Sequence, residues 1–221
     1  MSFNIAIDGP AGAGKSTIAK KVAKELGFIY VDTGAMYRAM ALYFLENNIA
    51  KEDEQAVSKA AQSADITIRY DNGEQQVLLN GENVTNRLRK EEVGNTASVT
   101  SAYAAVRQKL VELQQQLAKK ENVIMDGRDI GTVVLPQAQV KIYLTASVET
   151  RAKRRYDELV QKGADCDIKE IEKDIAERDY RDMHRENSPL KQAEDAVLID
   201  SSDMGIEDVV HSIITIYEER R

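Results

Sequence analysis

Five short apolar runs alternate along the chain with longer stretches that have the spacing of amphipathic helices. The runs occupy residues 5–7, 28–32, 122–127, 140–145 and 196–200. Continuous apolar runs of this length, separated by helices, predict a parallel sheet that is covered by helices on both faces. Because ligands of such sheets bind at the carboxyl ends of the strands, we expect any functional site at that edge.

Residues 65–85 break this alternation. Apolar and polar positions there alternate with a period of two on either side of Asn72-Gly73, and Asn80-Gly81 follows. Asn-Gly pairs are typical of two-residue hairpin turns. The segment therefore predicts a three-stranded antiparallel meander inserted into an α/β chain. The pattern leaves open whether this meander is a decorative flap or part of a lobe that grips a substrate.

The first apolar run ends in a glycine-rich loop, within the stretch IAIDGPAGAGKST at residues 5–17. The spacing of Gly9, Gly14, Lys15 and Ser16 matches a loop whose backbone N–H groups surround a polyphosphate. A helix predicted over residues 18–26 presents its positive N-terminal end to the same anion. We expect Lys15 to reach the β- and γ-phosphates of a nucleoside triphosphate, and the Ser16 hydroxyl to bind Mg²⁺. The predicted phosphate site consists of Gly9, Pro10, Ala11, Gly12, Ala13, Gly14, Lys15, Ser16 and Thr17.

Composition narrows the possible partners. With 30 Lys and Arg against 37 Asp and Glu, the net charge of -7 argues against a broad nucleic-acid or membrane surface, so an anion site must be built locally. The single cysteine, Cys166, cannot form an internal disulfide. We expect one domain over residues 1–221, a monomer in the cytoplasm, with no nucleic-acid or membrane partner.

Four segments place arginines where a second anion could bind. They are VDTGAMYR (31–38), MDGRDIGT (125–132), RAKRR (151–155) and ERDYRDMHRENSP (177–189). In the last, Arg178, Arg181, Asp182 and Arg185 are spaced to share one helix face. Each segment alone also fits a capped helix, a turn with an ion pair or a solvated helix face. Beside a phosphate loop, they favour an acceptor that is itself an anion, and RAKRR favours a mobile lid.

Five motifs in series resemble those of the bacterial cytidylate kinases, which are P-loop nucleoside monophosphate kinases. The motifs are IDGPAGAGKST, VDTGAMYRA, DGRDIGTVV, PQAQVKIYL and ERDYRD, and the similarity runs from about residue 3 to residue 200. The resemblance implies a core with a five-stranded parallel sheet, a monophosphate-binding lobe with an insertion at about residues 62–93, and an arginine lid at about 151–165. It also implies transfer of the γ-phosphoryl group of ATP to CMP or dCMP with the help of Mg²⁺.

The resemblance further implies which side chains meet the acceptor. Arg38, Arg128 and Arg185 would hold its phosphate, while Arg178 and Asp182 would lie near the sugar. Ser98, Arg107 and Asp129 would face the cytosine, because a carboxylate can accept from its amine and an arginine can donate to its N3 and O2. The other expected site residues are Thr33 and Tyr37 for the acceptor, Arg154 for the transferred phosphate, and Asp32 or Asp126 for Mg²⁺ through water.

The spacing of two expected base-contact residues constrains the helices that carry them. Ser98 and Arg107 are nine positions apart, which puts them on roughly opposite sides of an unbroken helix. We therefore expect a helix to break or begin between them, within VTSAYAA at residues 99–105. Ala11 stands where many relatives have serine, so a hydroxyl contact is absent at that position.

The residues alone leave two other functions possible. The same scaffold could phosphorylate UMP, AMP or a small alcohol. A GTPase-like switch or a nucleotide-gated binding module is the second, although the chain contains no Asn-Lys-x-Asp motif for reading guanine.

Overall fold

The computed structural model describes residues 2–71 and 73–221, and a five-stranded parallel sheet forms its centre. Its strands are β1 (Asn4–Asp8), β2 (Ile29–Asp32), β6 (Val123–Gly127), β7 (Val140–Thr145) and β8 (Val197–Asp200), in the order β2-β6-β1-β7-β8. The helices are α1 (Lys15–Leu26), α2 (Thr33–Glu46), α3 (Glu54–Ser63), α4 (Glu91–Thr100), α5 (Ala104–Lys120), α6 (Val148–Gln161), α7 (Ile168–His184) and α8 (Ile206–Arg220). Every predicted apolar run overlaps one of these strands, and the predicted α/β fold class is confirmed.

The two faces of the sheet bury separate hydrophobic clusters. Ile5 and Ile7 of β1 pack in one cluster with side chains of α1 and α8, whereas Ala6 belongs to the opposite cluster with side chains of α2 and α5. Successive side chains of a strand point to opposite faces, so a strand covered on both sides must be apolar throughout. This packing brings the carboxyl ends of β1, β2 and β6 together at one edge.

A separate three-stranded antiparallel sheet confirms the predicted meander. Its strands are β3 (Ile66–Asp71), β4 (Glu74–Leu79) and β5 (Glu82–Asn83), in sequence order. Asn80 and Gly81, with φ of 50° and 83°, form the second hairpin turn, as the mirror-image turn of a tight hairpin requires. In the first predicted turn, Gly73 also has positive φ, of 80°, while Asn72 lies outside the described residues.

The meander is attached to the strand edge that bears the site. The Gln75 side chain accepts from the backbone N–H of Asp32 at 2.8 Å and donates to its carbonyl at 3.2 Å. The Tyr70 hydroxyl donates to the carbonyl of Tyr30 at 3.1 Å. These bonds give the small sheet a fixed position beside β2. The boundaries expected for the inserted lobe (62–93) and the lid (151–165) stay predictions.

Two helix boundaries bear on the site. The expectation that the first helix starts at residue 18 was wrong, because α1 begins at Lys15, directly after Gly14 with a left-handed φ of 84°. The break expected between Ser98 and Arg107 is confirmed, since residues 101–103 separate α4 from α5. In residues 2–71 and 73–221, the structure has no helix that is long and apolar enough to span a membrane.

Candidate active site

The glycine-rich loop forms one end of a cavity of about 760 Å³. Residues 11–17 line it, and Gly12 adopts a φ of 77° that suits a residue without a side chain. Lys15 is buried, and its ammonium donates to the carbonyl of Pro10 at 2.7 Å. Burial and the nearby Arg128 lower the pKa of Lys15, while Asp126 and Asp8 oppose that change. The loop and the first turn of α1 therefore concentrate donors at one point.

Two residues of the predicted phosphate site lie behind this surface. Gly9 and Pro10 are outside the set of described residues that line the cavity. A Cβ atom at Gly9 would lie 1.9 Å from the carbonyl oxygen of Leu144, so Gly9 permits the close approach of the loop to β7. Pro10 contributes the carbonyl that holds Lys15. Both residues shape the loop and leave phosphate contacts to the residues that follow.

A hydroxyl and two carboxylates lie next to the loop. Ser16 donates to one carboxylate oxygen of the buried Asp126 at 2.8 Å, and Tyr30 donates to the other at 2.9 Å. Burial and the neighbouring Asp32 raise the pKa of Asp126, while Lys15 opposes the rise. Asp32 caps α2 by accepting from the N–H of Ala35 at 2.8 Å.

This oxygen-rich corner fits Mg²⁺. Serine hydroxyls, carboxylates, waters and phosphate oxygens are the ligands that Mg²⁺ takes in nucleotide sites. No group of three or more His, Cys, Asp or Glu side chains in the described ranges could hold a metal by itself. A cation here would depend on Ser16, on water held by Asp126 or Asp32, and on the phosphates of a nucleotide. Asp32 also pairs with Arg38 at 3.1 Å, so each of the two carboxylates already has two hydrogen-bonding partners.

Positive charge dominates the far end of the cavity. The whole lining includes eight arginines and Lys15 but five carboxylates, in a chain whose net charge is -7. Arg38 comes from α2, Arg128 follows β6, Arg178 comes from the C-terminal part of α7, and Arg185 directly follows α7. Guanidinium groups from three separate parts of the chain thus meet at the edge that carries the phosphate loop. Such a cluster suits an anion of several charges.

Several buried donors in this cluster lack a protein partner. Arg38 Nε, Arg185 Nη2 and the Tyr37 hydroxyl make no hydrogen bond to any described residue. A buried donor without a partner costs about 1–3 kcal/mol, and native structures leave few of them. All three residues line the cavity. These donors are accordingly available to a ligand with oxygen acceptors.

Two carboxylates are held among the arginines. Asp182 accepts from Arg128 Nε at 2.8 Å, and Asp129 pairs with Arg107 and lies 3.6 Å from Arg185 Nη2. Burial acts to raise the pKa of Asp182, but Arg128 and further arginines outweigh it and lower that pKa. Burial raises the pKa of Asp129, and Arg107 opposes that rise. Both carboxylates therefore present acceptor oxygens at fixed places within a cationic pocket.

The three residues expected to face a base lie together. Ser98 of α4, Arg107 of α5 and Asp129 all line the cavity, as does Tyr37. The guanidinium carbon of Arg107 is 5.6 Å from the centroid of the Tyr37 ring. The break between α4 and α5 turns Ser98 and Arg107 to a common side. Thr33 also lines the cavity, and its hydroxyl donates to the carbonyl of Asp126 at 2.6 Å.

Two arginines differ from the expected arrangement. Arg181 is exposed and does not line the described cavity, although its spacing predicted a face shared with Arg178. Arg151, expected on a lid face, is buried; it donates to the carbonyl of Ala11 at 2.9 Å and pairs with Asp179 at 2.6 Å. Arg151 also lines the cavity, and this pair holds its guanidinium against the phosphate loop.

The expected lid arginine lies at the mouth of the cavity. Arg154 lines the cavity and donates to the carbonyl of Ser201 at 2.6 Å. The segment 151–165 contains most of α6 and the start of the connection to α7.

Two features of the site escaped the sequence analysis. Ser201, Met204, Ile206 and Val209, around the start of α8, line the cavity beside the phosphate loop. One serine and three scattered apolar residues after a strand carry no motif that could have identified them. The second feature is Asp8. Its position at the end of an apolar strand, next to the phosphate loop, could have indicated that it belongs to the site.

Asp8 joins β1 to the turn that follows Asp129. Its buried carboxylate accepts from the N–H groups of Ile130 at 2.8 Å and Gly131 at 2.7 Å. Burial raises the pKa of Asp8 to about 6. The carboxylate thereby fixes the backbone that carries Arg128 and Asp129 relative to the phosphate loop.

Comparisons with known proteins agree with this geometry. A family model described as Cytidylate kinase matches residues 5–219. The chain is 52% identical over 215 residues to a cytidylate kinase of Caldicellulosiruptor bescii, covering 97% of this chain and 95% of that protein. It is also 52% identical over 218 residues to a cytidylate kinase of Ligilactobacillus salivarius, covering 99% and 97%. A solved shikimate kinase from Acinetobacter baumannii, in complex with shikimate, shares the fold with a TM-score of 0.50 at 16% identity, over 100% of this chain and 96% of that one. The chain belongs to the cytidylate kinase family.

Proposed function

We propose that the protein transfers the γ-phosphoryl group of ATP to CMP or dCMP and releases ADP with CDP or dCDP. Membership of the cytidylate kinase family supports this activity. The structural observation that carries it is that one cavity is lined by the phosphate loop and by an arginine cluster from other parts of the chain. A single loop would suffice to bind ATP, whereas the second cationic cluster gives a phosphorylated acceptor its own place.

The donor nucleotide occupies the end lined by residues 11–17. Backbone N–H groups of the loop and the N-terminal end of α1 hold the triphosphate, and Lys15 exchanges its bond to Pro10 for the β- and γ-phosphates. Met204, Ile206 and Val209 offer the adjacent apolar surface for the adenine ring. Arg154, at the same mouth of the cavity, is the candidate to contact the transferred phosphate on closure.

Ser16 is the candidate metal ligand, with Asp126 and Asp32 acting through water. Bound there, Mg²⁺ would neutralise negative charge on the β- and γ-phosphates. The hydrogen bond from Ser16 to Asp126 keeps the hydroxyl oriented toward the loop.

The acceptor phosphate lies against Arg38, Arg128 and Arg185. One of its oxygens attacks the γ-phosphorus, and the bond from that phosphorus to the β,γ-bridging oxygen breaks, so that ADP leaves with the electron pair. The attacking phosphate has a second pKa of about 6 and is largely dianionic at neutral pH, so no general base is needed. The guanidinium groups and Lys15 position the two anions and stabilise the charge that spreads over the transferred oxygens.

The cytosine is held by Ser98, Arg107 and Asp129. Asp129 accepts from the exocyclic amine and Arg107 donates to the ring acceptors, whereas uracil presents a carbonyl and an N–H in the wrong places. Arg178 and Asp182 lie beside the sugar. The monomeric state and the cytoplasmic location stay predictions from the sequence.

An acceptor panel tests the proposal. Initial rates are measured with ATP and CMP, dCMP, UMP or AMP, each with and without Mg²⁺. We expect Mg²⁺-dependent formation of ADP and CDP or dCDP, with UMP and AMP at least about tenfold less efficient in kcat/KM. Nucleotide binding without an acceptor-dependent rate would favour a switch or binding module, and a preference for UMP or AMP would overturn the assignment of the base pocket.

A further inference from the structure

The turn after α7 contacts two arginines of the acceptor site from outside the cavity. The Ser188 hydroxyl accepts from Arg107 Nε at 3.0 Å, and the Ser188 carbonyl accepts from Arg185 Nε at 2.7 Å. Ser188 is not among the described residues that line the cavity. One residue behind the site therefore binds a base-facing arginine through its side chain and a phosphate-facing arginine through its backbone.

The backbone at Ser188 is unusual. Its φ of 51° lies in the left-handed region, which residues other than glycine rarely adopt. Bonds on both sides hold this conformation, since Asn187 donates to the carbonyl of Ala102 at 3.2 Å and Leu190 N–H donates to the carbonyl of Asp182 at 2.8 Å. Strained residues persist where the surrounding structure fixes them, and they concentrate at functional sites.

The hydroxyl completes the fixation of Arg107. Arg107 is buried, with 5% of its surface exposed. Its guanidinium pairs with Asp129 through Nη2 and donates to the carbonyl of Ser101 through Nη1 at 3.3 Å. Ser188 takes the remaining Nε donor. With all three nitrogens engaged, the guanidinium plane has one orientation, and so does the carboxylate of Asp129 that it pairs with.

We infer that Ser188 is a positioning residue that sets the preference for cytosine over uracil by orienting Arg107 against Asp129. The inference rests on the proposed function. Without the hydroxyl, Arg107 Nε is buried without its acceptor, and the arginine turns away from the geometry that distinguishes the two bases. Ser188 does not line the described cavity, so its effect reaches the acceptor through Arg107.

The test compares Ser188→Ala with Ser188→Gly. Both variants lack the hydroxyl, but glycine adopts the left-handed conformation freely and alanine does not. We expect the ratio of kcat/KM for CMP to that for UMP to fall about tenfold in both, equivalent to about 1.4 kcal/mol. Thermal stability should separate the two, with the glycine variant melting higher. Ser63→Ala, at an exposed serine ending α3, is the matched control and should change neither quantity.

A double-mutant cycle distinguishes positioning from a general structural role. In an Arg107→Ala background, Ser188→Ala should leave the CMP to UMP ratio unchanged, because the residue through which it acts is gone. An unchanged ratio in both single variants would overturn the inference. So would an equal loss of activity toward both acceptors that persists in the Arg107→Ala background. A wild-type protein without CMP-dependent turnover would instead refute the proposed function, and the inference with it.

Discussion

Replacing Asp8 with asparagine should impair catalysis far more than it impairs stability. The buried carboxylate binds the N–H groups of Ile130 and Gly131, directly after the segment that carries Arg128 and Asp129. An asparagine keeps one acceptor oxygen and points an amide NH2 at the other N–H. The backbone that carries the acceptor-site residues can then shift relative to the phosphate loop.

Two opposing contributions determine the stability of this variant. The pKa of Asp8 rises from 3.8 to about 6, a change that makes the ionised form about 3 kcal/mol less favourable in the fold than the neutral acid. Asparagine carries no charge and avoids this cost, but its misdirected amide costs about 1–3 kcal/mol. The two nearly cancel, so we expect the free energy of unfolding at pH 7 to lie within about 2 kcal/mol of wild type.

The raised pKa of Asp8 determines how the stability of wild type and variant changes with pH. Between pH of about 4 and 6 the folded protein holds a proton on Asp8 that the unfolded chain has lost. This contribution to wild-type stability is therefore fully present below the unfolded pKa and is lost as the pH rises through the folded pKa. Asp8→Asn lacks it, so the stability of the variant relative to wild type should increase by about 2 kcal/mol from pH 4.5 to pH 7.

Catalysis should respond to the displaced backbone. A misplacement of about 1 Å at catalytic groups can cost about 100-fold, so we expect kcat/KM for CMP to fall about 10- to 100-fold. Urea unfolding at pH 4.5 and 7 and initial rates with ATP and CMP supply the measurements. Asp174→Asn, at an exposed carboxylate of α7, is the matched control. A variant that loses more than about 4 kcal/mol of stability, or one with unchanged kcat/KM, would refute this reasoning.

Three further substitutions test other parts of the site. Lys15→Ala should lower kcat by at least about 100-fold while circular dichroism stays native, because a fixed charge at the transferred phosphate is lost; Lys24→Ala, exposed on the same helix, should not. Asp129→Ala should reduce the CMP to UMP ratio of kcat/KM by at least about tenfold, and an unchanged ratio would count against its contact with the base. Gly9→Ala should lower the melting temperature sharply, since its methyl group would lie 1.9 Å from the carbonyl oxygen of Leu144; a native melting curve would contradict that packing.

Local pattern was sufficient for much of the fold. Each of the five strands overlaps a predicted apolar run, and the meander follows from its two Asn-Gly pairs. The break between α4 and α5 was expected because the resemblance placed Ser98 and Arg107 in one site, and helical geometry then required a break between them. These features depend on residues close together in sequence, where period and turn chemistry act.

The site required information that local pattern does not contain. Arg178 and Arg181 fit one helix face by spacing, but the packing of α7 turns only Arg178 into the cavity. Arg151 is held against the phosphate loop because Asp179 of another helix binds it. Contacts between distant segments decide such orientations, as they do for Asp8 and Ser188.

A crystal structure with CMP and a non-hydrolysable ATP analogue bound together tests the central claim most directly. The account predicts the analogue's phosphates in the loop of residues 11–17 and the phosphate of CMP within hydrogen-bonding reach of Arg38, Arg128 and Arg185. The cytosine should contact Asp129. A CMP phosphate bound away from these three arginines, or the two nucleotides in separate cavities, would contradict it.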